Sequence, residues 1–390
     1  MLKLKSSRLE GRRIALCISG SIAAIESPKL ARELRRHGAG VVGFLTGDAQ
    51  AIIHPNVIEF ATGSKPVSEL TGKLEHLEKF DLILIAPATA NIIAKIAHGI
   101  ADNAVATLCT SNSLEKLLIA PAMHGEMLSN KALQKNIQTL KKAGCTIIEP
   151  KIEEGAAKLA EIDKIVDFVI RKATKQSLKG KKVLITAGAT FEYFDPVRII
   201  TNLSSGKTGI ALAKEAFYRG AEVKLIHGLT RVNYDIKSKE HLNPTYTESL
   251  DEMSGTIKKE KSIDFFVCAA AIGDFKTDKH KEKISSDKSI KIELHPAKKI
   301  ISEAKAKVKI AFKAEHNVTE KRLLEAAREI IERGDADIVF ANDVHKTKIG
   351  GDEIAGFIVT ATHEKEIKKC KKEKFAEIFW DEILSCGNEQ

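Results

Sequence analysis

Two doubly wound α/β domains, each built on a mostly parallel sheet, are what this sequence predicts. Short apolar runs alternate with amphipathic helical stretches through the first half. The same alternation begins afresh after a lysine-rich stretch at 171–182. A chain of 390 residues is also long for a single hydrophobic core.

Residues 13–18 read as a buried strand, and 21–37 as a helix kinked at Pro28 and ended by Gly38. Further strands are expected at 41–45, 81–86, 105–109, 116–120 and 145–148, with helices between most of them. This organisation gives a first domain over 1–172, a linker at 173–180 and a second domain over 181–390. In the second domain, 182–187, 222–227, 264–269, 309–313, 337–341 and 355–360 read as strands. Asn317 and Glu320, three apart, predict a capping box opening a helix that Gly334 ends.

Composition narrows the function. Apolar content of 43% with 29% charged residues suits a soluble globular protein. Aromatics make up 5% and Trp380 is the one tryptophan, which argues against a stacking surface for single-stranded nucleic acid. The formal charge of +10 fits nucleic acid, an anionic membrane or phosphorylated small molecules. Its runs at 279–283 and 365–374 read first as solvated helix faces and loops. No zinc-finger or helix-turn-helix signature supports DNA. None of the six cysteines forms a C-x-x-C pair. Cys17, Cys109, Cys145 and Cys268 sit in strand-like apolar runs, as small core residues of a reducing compartment do. The apolar stretch 14–25 is broken by Ser19-Gly20-Ser21 and runs into Glu26, so strand, turn and helix explain it better than a signal peptide. No uncharged run is long enough to span a bilayer. A cytoplasmic enzyme is expected.

Two loops of the first half have the character of an anion cradle. Ser19-Gly20-Ser21-Ile22-Ala23-Ala24 leaves a strand and opens a helix, where small residues let backbone N–H groups approach a phosphate. It lacks the G-x-G-x-x-G fingerprint, so a mononucleotide phosphate fits better than a dinucleotide; an ordinary tight β–α turn fits as well. Ala86-Pro87-Ala88-Thr89-Ala90-Asn91 also ends a strand and offers the Thr89 hydroxyl, either to a ligand or to its own helix start. Beyond the carboxyl ends of parallel strands the two should share one crevice. In the second half, Thr186-Ala187-Gly188-Ala189-Thr190 follows a strand in the same manner. Ser205-Gly206-Lys207-Thr208 mimics the end of a P-loop, but Thr201 stands where its first glycine belongs. A Walker-type ATPase is rejected and Lys207 is left as a residue that opens a helix.

Taken in order, these loops with Pro121-Ala122-Met123-His124-Gly125-Glu126-Met127, Asn202-Leu203-Ser204-Ser205-Gly206-Lys207 and Ala269-Ala270-Ala271-Ile272-Gly273-Asp274 resemble one family. It is the bifunctional phosphopantothenoylcysteine decarboxylase/phosphopantothenate–cysteine ligase, here an archaeal-type sequence with P-A-M-H in place of P-A-M-N. The resemblance implies that the first half binds FMN through Gly20, Ser21, Thr46, Ala86, Thr89, Asp102 and Asn103. It implies oxidative decarboxylation of 4′-phosphopantothenoylcysteine to 4′-phosphopantetheine. The family's active-site histidine falls at His76, which from chemistry alone reads as a surface or packing residue. Met123 and Met127 would flank the substrate, and His124 would replace the asparagine that holds its carboxylate. The substrate flap maps to 150–158, which is short and has no cysteine to complete the reduction.

For the second half the resemblance implies ligation of 4′-phosphopantothenate to cysteine through an acyl-cytidylate, with CTP as co-substrate and Mg²⁺. Asn202 would handle the acyl nucleotide. Ala270 and Asp274 would meet base and ribose, and Lys283 would act on the phosphates from a flexible loop. Lys279, Lys281 and Lys288 lie close by, and solvated lysines are the plain alternative. Gly188, Phe312 and Asn342 fall in further nucleotide or substrate motifs, and Arg328 and Arg333 stand where phosphate-binding lysines were expected. Metal ligands are not given by any motif. The family's assembly implies a homo-oligomer, with a trimeric decarboxylase core and dimeric ligase domains. The alternatives are a related flavin prenyltransferase for the first half, or a binding or regulatory protein there.

Overall fold

The computed structural model describes residues 2–230, 236–287 and 289–386. Lys288 and the last four residues of the second expected domain lie outside the described residues. The chain forms two compact units, Met1–Lys175 and Gln176–Gln390.

The strands of the first unit are β1 (Arg13–Ile18), β2 (Gly40–Leu45), β3 (Leu82–Ala88), β4 (Leu117–Pro121), β5 (Met123–His124), β6 (Thr146–Ile147), β7 (Lys151–Glu153) and β8 (Ala156–Lys158). Its helices are α1 (Ser27–Arg36), α2 (Gly47–Gln50), α3 (Pro55–Thr62), α4 (Ala90–Ala97), α5 (Ala104–Thr110), α6 (Gly125–Ser129), α7 (Lys131–Lys142) and α8 (Ile162–Ala173). The main sheet has the order β2-β1-β3-β4-β6 and is parallel throughout. Every residue of the central β3 is buried, as a strand covered on both faces requires. A second sheet, β5-β8-β7, is antiparallel and small.

Three sequence expectations change here. Residues 21–37 are not one kinked helix: a 3₁₀ turn, Ile22–Glu26, precedes α1, and Pro28 lies in the first turn of α1, where its missing N–H costs nothing. Residues 105–109 are not a strand but the heart of α5. The Asn103 side chain accepts from Ala106 N at 2.9 Å and starts that helix, so an apolar run that fitted either period becomes helical. Residues 171–173 belong to the last turn of α8, leaving 174–181 as the connection.

The second unit contains β9 (Lys182–Ala187), β10 (Phe191–Tyr193), β11 (Ile199–Thr201), β12 (Glu222–His227), β13 (Pro244–Tyr246), β14 (Ile263–Cys268), β15 (Phe275–Lys276), β16 (His295–Pro296), β17 (Ala306–Glu315), β18 (Ile338–Asp343), β19 (Glu353–Val359) and β20 (Glu364–Lys371). Its helices are α9 (Lys207–Tyr218), α10 (Leu250–Lys259), α11 (Glu320–Glu332) and α12 (Lys372–Cys386). The large sheet runs β13-β12-β9-β14-β17-β18-β19-β20, parallel from β13 to β18 and antiparallel beyond. The charge run 365–374 is therefore an edge strand up to Lys371, turned inward at Ile367, and then the buried Lys372 that opens α12. The expected capping box also fails. Asn317 takes a left-handed backbone (φ 54°), and Thr319 caps α11 by accepting from Arg322 N at 3.3 Å.

α12 is locked to α9 by the buried Trp380, whose indole N–H donates to Leu212 O at 3.0 Å. Phe312, Phe340, Phe375 and Phe379 extend this contact as ring pairs 4.6–6.5 Å apart. Among the described residues no helix is long and apolar enough to cross a membrane.

Candidate active sites

In the first unit the carboxyl ends of three neighbouring strands carry a hydroxyl-capped turn each. Ser21 follows β1 and caps the 3₁₀ turn, accepting from Ala23 N at 3.4 Å. Thr46 follows β2 and caps α2 through Ala49 N at 3.2 Å; Thr89 follows β3 and caps α4 through Ile92 N at 3.4 Å. A capping hydroxyl uses a lone pair on its own helix, which leaves the O–H of Thr46 and of Thr89 for a ligand, whereas that of Ser21 donates to Ala122 O. Ser19 ties two of the turns together. Its buried hydroxyl donates to Pro87 O at 2.7 Å and accepts from Thr89 N at 2.9 Å. Ser21 Oγ in turn reaches Ala122 O at 3.4 Å, bringing the P-A-M-H loop to the same edge.

Gly20 is required by space. A Cβ there would overlap Asp48 Cβ and lie 3.2–3.3 Å from the Asp48 backbone. The turns after β1 and β2 are thus pressed together, and buried Ala86 and Ala88 keep the floor between them small. This crowding of small residues, with helix starts and donor hydroxyls, suits a phosphate-bearing cofactor. Gly20, Ser21, Thr46, Ala86 and Thr89 share this edge. Asn103 caps α5, and its amide donates to Asp102 Oδ1 at 2.8 Å. The other Asp102 oxygen is held by Lys95 at 2.6 Å, so that carboxylate is already engaged.

Met123 and His124 lie on β5, opposite Ala157 and Ala156 of β8. The loop and the flap are therefore one sheet, closed by Gly125 N donating to Gly155 O at 3.0 Å. His124 and Met127 are exposed and Met123 is partly buried.

His76 is elsewhere. It sits in the turn Glu75–Leu77, whose His76 O accepts from Ser111 Oγ at 3.4 Å. Ser111 ends α5 just ahead of β4, and Phe80 just ahead of β3 accepts from Lys116. This is the amino edge of the sheet. The seven residues of β3 separate it from the crevice by roughly 20 Å at the rise of a strand. The buried His76 Nδ1 has no hydrogen-bond partner among the described residues.

In the second unit one cavity of about 780 Å³ opens at the carboxyl ends of the strands. Asn202, Ala270, Asp274, Phe312 and Asn342 all line it. The Asn202 amide donates to Ile272 O at 2.9 Å, which fixes its plane against the loop after β14. That loop is laced to the one after β9: Ala271 N donates to Gly188 O at 2.8 Å and Ala270 N to Thr186 Oγ1 at 3.2 Å. Gly188 supports the cavity without lining it. Its φ of 77° and the 2.7 Å between its Cβ position and Leu229 O exclude a side chain there. Asp274 pairs with Lys299 at 2.6 Å.

Lys283 is exposed and does not line the cavity, but its neighbour is anchored. Ile284 O accepts from Arg198 at 3.1 Å, and Ile284 N donates to Asp195 at 3.3 Å. Burial of Asp195 would raise its pKa, but the N–H groups of Val197, Arg198 and Ile284 and the Arg198 guanidinium together hold it below the usual range. The D-P-V-R segment is thus the clamp at the root of the Lys283 loop.

Sequence reasoning missed several cations. Lys207, set aside as a helix opener, lines the cavity and pairs with Asp352 at 2.5 Å. Lys298, Lys299, Lys313, Arg322 and Lys372 line it too. Of the two arginines singled out on α11, Arg333 reaches the cavity, whereas Arg328 is turned to Glu364 and is not among its lining residues. Among the described residues no three His, Cys, Asp or Glu side chains gather as for a resident metal ion.

Residues 2–174 match the family model described as Flavoprotein, and residues 178–386 that of the DNA/pantothenate metabolism flavoprotein C-terminal domain. The coenzyme A biosynthesis bifunctional protein CoaBC of Thermococcus kodakarensis is 45% identical over 97% of this chain and 96% of its own. That of Methanocaldococcus jannaschii is 40% identical over 95% and 93%. A crystal structure of the C-terminal domain of a CoaBC protein is 28% identical and covers 55% of this chain and 100% of that one, with a TM-score of 0.45. With both halves matched in order and nearly end to end, this chain belongs to the coenzyme A biosynthesis bifunctional proteins.

Proposed function

We propose that the two units carry consecutive reactions of coenzyme A synthesis: the second joins 4′-phosphopantothenate to cysteine, and the first decarboxylates the product. The observation that carries this reading is the second-unit cavity, where Asn202, Ala270, Asp274, Phe312 and Asn342 converge from four separate segments.

In the ligase reaction the substrate carboxylate attacks the α-phosphate of CTP and pyrophosphate leaves. The cysteine amine then attacks the acyl carbon and CMP leaves. Asn202, held by Ile272 O, would keep its own carbonyl oxygen and one N–H for the activated acyl group. Lys283 would swing in from its Asp195-anchored root to meet the phosphates. With no resident metal cluster among the described residues, Mg²⁺ would arrive with the nucleotide.

In the decarboxylase the turns of Gly20, Ser21, Thr46 and Thr89 would hold the phosphate of FMN, with Ala86 beneath and Asn103 at the start of α5. Bound FMN supplies the two-electron oxidation and its return. Met123 and Met127 would flank the substrate, and the imidazole of His124 would hold the carboxylate. His76 lies at the far edge of its own sheet, so a second copy must bring its His76 to the crevice. That supports a homo-oligomeric decarboxylase, with trimers as the family suggests and dimeric ligase units. Buried thiols such as Cys145 and Cys268, both pushed by burial up to about 11, suit a reducing cytoplasm.

The test is incubation of the full chain with 4′-phosphopantothenate, cysteine, CTP and Mg²⁺, followed by mass analysis. CMP, pyrophosphate, carbon dioxide and 4′-phosphopantetheine are expected. Absence of CMP sinks the ligase reading, and accumulation of the cysteine adduct on a flavin-loaded protein sinks the decarboxylase reading. Mixing His76→Asn with His124→Ala protein, each inactive alone, should restore decarboxylation if His76 acts across copies.

A further inference from the structure

We infer that Lys372 and Lys207 together hold the pyrophosphate end of the triphosphate, an inference that rests on the nucleotide reading of the second-unit cavity. Lys372 stands where β20 turns into α12, far in sequence from every motif of the site. Its backbone N–H donates to Asp352 O at 3.0 Å, which fixes it beside the loop that carries Lys348, Ile349 and Gly350 along the cavity. The residue is 8% exposed and lines the cavity.

A lysine this deeply buried normally has a carboxylate partner. Lys207 has one, Asp352, whose side chain is 80% exposed. Lys372 makes no ion pair of its own among the described residues, and the charge of Lys207 is the largest influence on it after burial itself. Both effects push its pKa below the ordinary lysine range. Two cations thus face one cavity; of the acids that act on Lys372, Asp352 is already paired with Lys207 and turned to water, and Glu373, next in sequence, forms no ion pair with it among the described residues. Among the described residues no carboxylate is paired with Lys372, so the burial of its charge is left without a contact partner.

The surroundings say what would supply one. Lys207 opens α9, a twelve-residue helix whose N-cap, Gly206, gives no side-chain cap to its first N–H groups. Those groups and the helix dipole favour an anion at the same wall. Lys372, Lys207 and the α9 terminus form a wall built for several negative charges close together. Asn202, Ala270, Asp274 and Asn342 line the same cavity with mostly uncharged groups. A nucleoside triphosphate would place its leaving pyrophosphate on the cationic wall. Lys372 would bind the ground state and retain the charge that develops as the bond to the α-phosphate breaks.

The experiment compares binding of CTP, CMP and inorganic pyrophosphate, by calorimetry at fixed Mg²⁺, to full-length wild type, Lys372→Met and Lys372→Arg. Methionine keeps the apolar stem and removes the charge. CTP and pyrophosphate should bind roughly 10- to 100-fold more weakly to Lys372→Met, the loss expected for a charged hydrogen bond. CMP affinity should stay within about 3-fold, because CMP lacks the groups that Lys372 holds. Lys372→Arg should recover most of the CTP affinity, and the KM for CTP should rise in Lys372→Met. Unchanged CTP and pyrophosphate binding overturns the assignment, as does an equal loss of CMP and CTP. Should Lys372→Met fold poorly, Lys207→Met must show the same split between CTP and CMP, or the shared subsite is wrong. Wild-type protein that binds none of the three overturns the nucleotide reading and takes this assignment with it.

Discussion

Replacing Gly20 with alanine tests the flavin crevice where it is tightest. The new Cβ would overlap Asp48 Cβ and sit 3.2–3.3 Å from Asp48 backbone atoms. The obstructing atoms lie on or next to the main chain, so no rotamer change relieves the clash and one of the two turns must move. Overpacking of this sort costs about 1–3 kcal/mol. If the displaced turn is what holds the FMN phosphate, affinity falls roughly 5- to 150-fold, at about 1.4 kcal/mol per decade. Whatever the fold absorbs instead lowers the melting temperature, by roughly 2–4 °C per kcal/mol for a unit of this size. Gly47, in the same neighbourhood, has nothing within 4 Å of its Cβ position and provides the control. The assay is the flavin-to-protein absorbance ratio of the purified full chain, beside a melting curve. Gly20→Ala should lose flavin while Gly47→Ala keeps it. A Gly20→Ala protein with wild-type flavin content and wild-type melting would refute both the packing argument and the placement of the cofactor.

His124→Ala should keep flavin but lose decarboxylation, and His124→Asn should restore part of it; wild-type turnover in the alanine variant at equal flavin occupancy would exclude a carboxylate contact. Asn202→Asp should let an acyl-cytidylate accumulate, because a carboxylate replaces a neutral donor, whereas Lys283→Gln should slow pyrophosphate release. Identical quench-flow profiles for the two variants would contradict that division. Asp195 has a pKa below its unfolded value, so its stabilising contribution is complete above about pH 4 and fades as pH falls through the lowered folded value. The melting temperature of Asp195→Asn should therefore lie below wild type at pH 7, with the gap narrowing in acid; a gap constant with pH would mean the carboxylate is not held as described.

Much of the architecture was legible because a strand buried on both faces has little choice of sequence. Leu82–Ala88 is apolar throughout and could hardly be anything but a central strand. Short runs with a polar flank were harder. Residues 105–109 fit either period, and the Asn103 cap that settles the matter acts from outside the run. Asn317 fails as a cap because Asp343 takes its backbone N–H at 2.9 Å, a partner 26 residues away. The site was legible where a loop has its own motif, as at Asn202 and Ala270. Lys207 and Lys372 were not, since a lysine among 62 basic residues announces nothing until folding turns it toward a cavity and, for Lys372, removes its solvent. The resemblance alone named His76 as the active-site histidine, and the sheet puts it at the edge opposite the crevice.

The pairing of β5 with β8 sets an evolutionary constraint. Position 124 faces position 156 across the ladder, and here a bulky imidazole stands opposite Ala156. Cross-strand neighbours share one volume, so the two positions should covary. Family members with asparagine at the first position have room for a larger side chain at the second. A flap carrying a bulky residue at 156 should then be a poor graft onto this chain, and His124 a poor graft onto that one, unless both exchanges are made together.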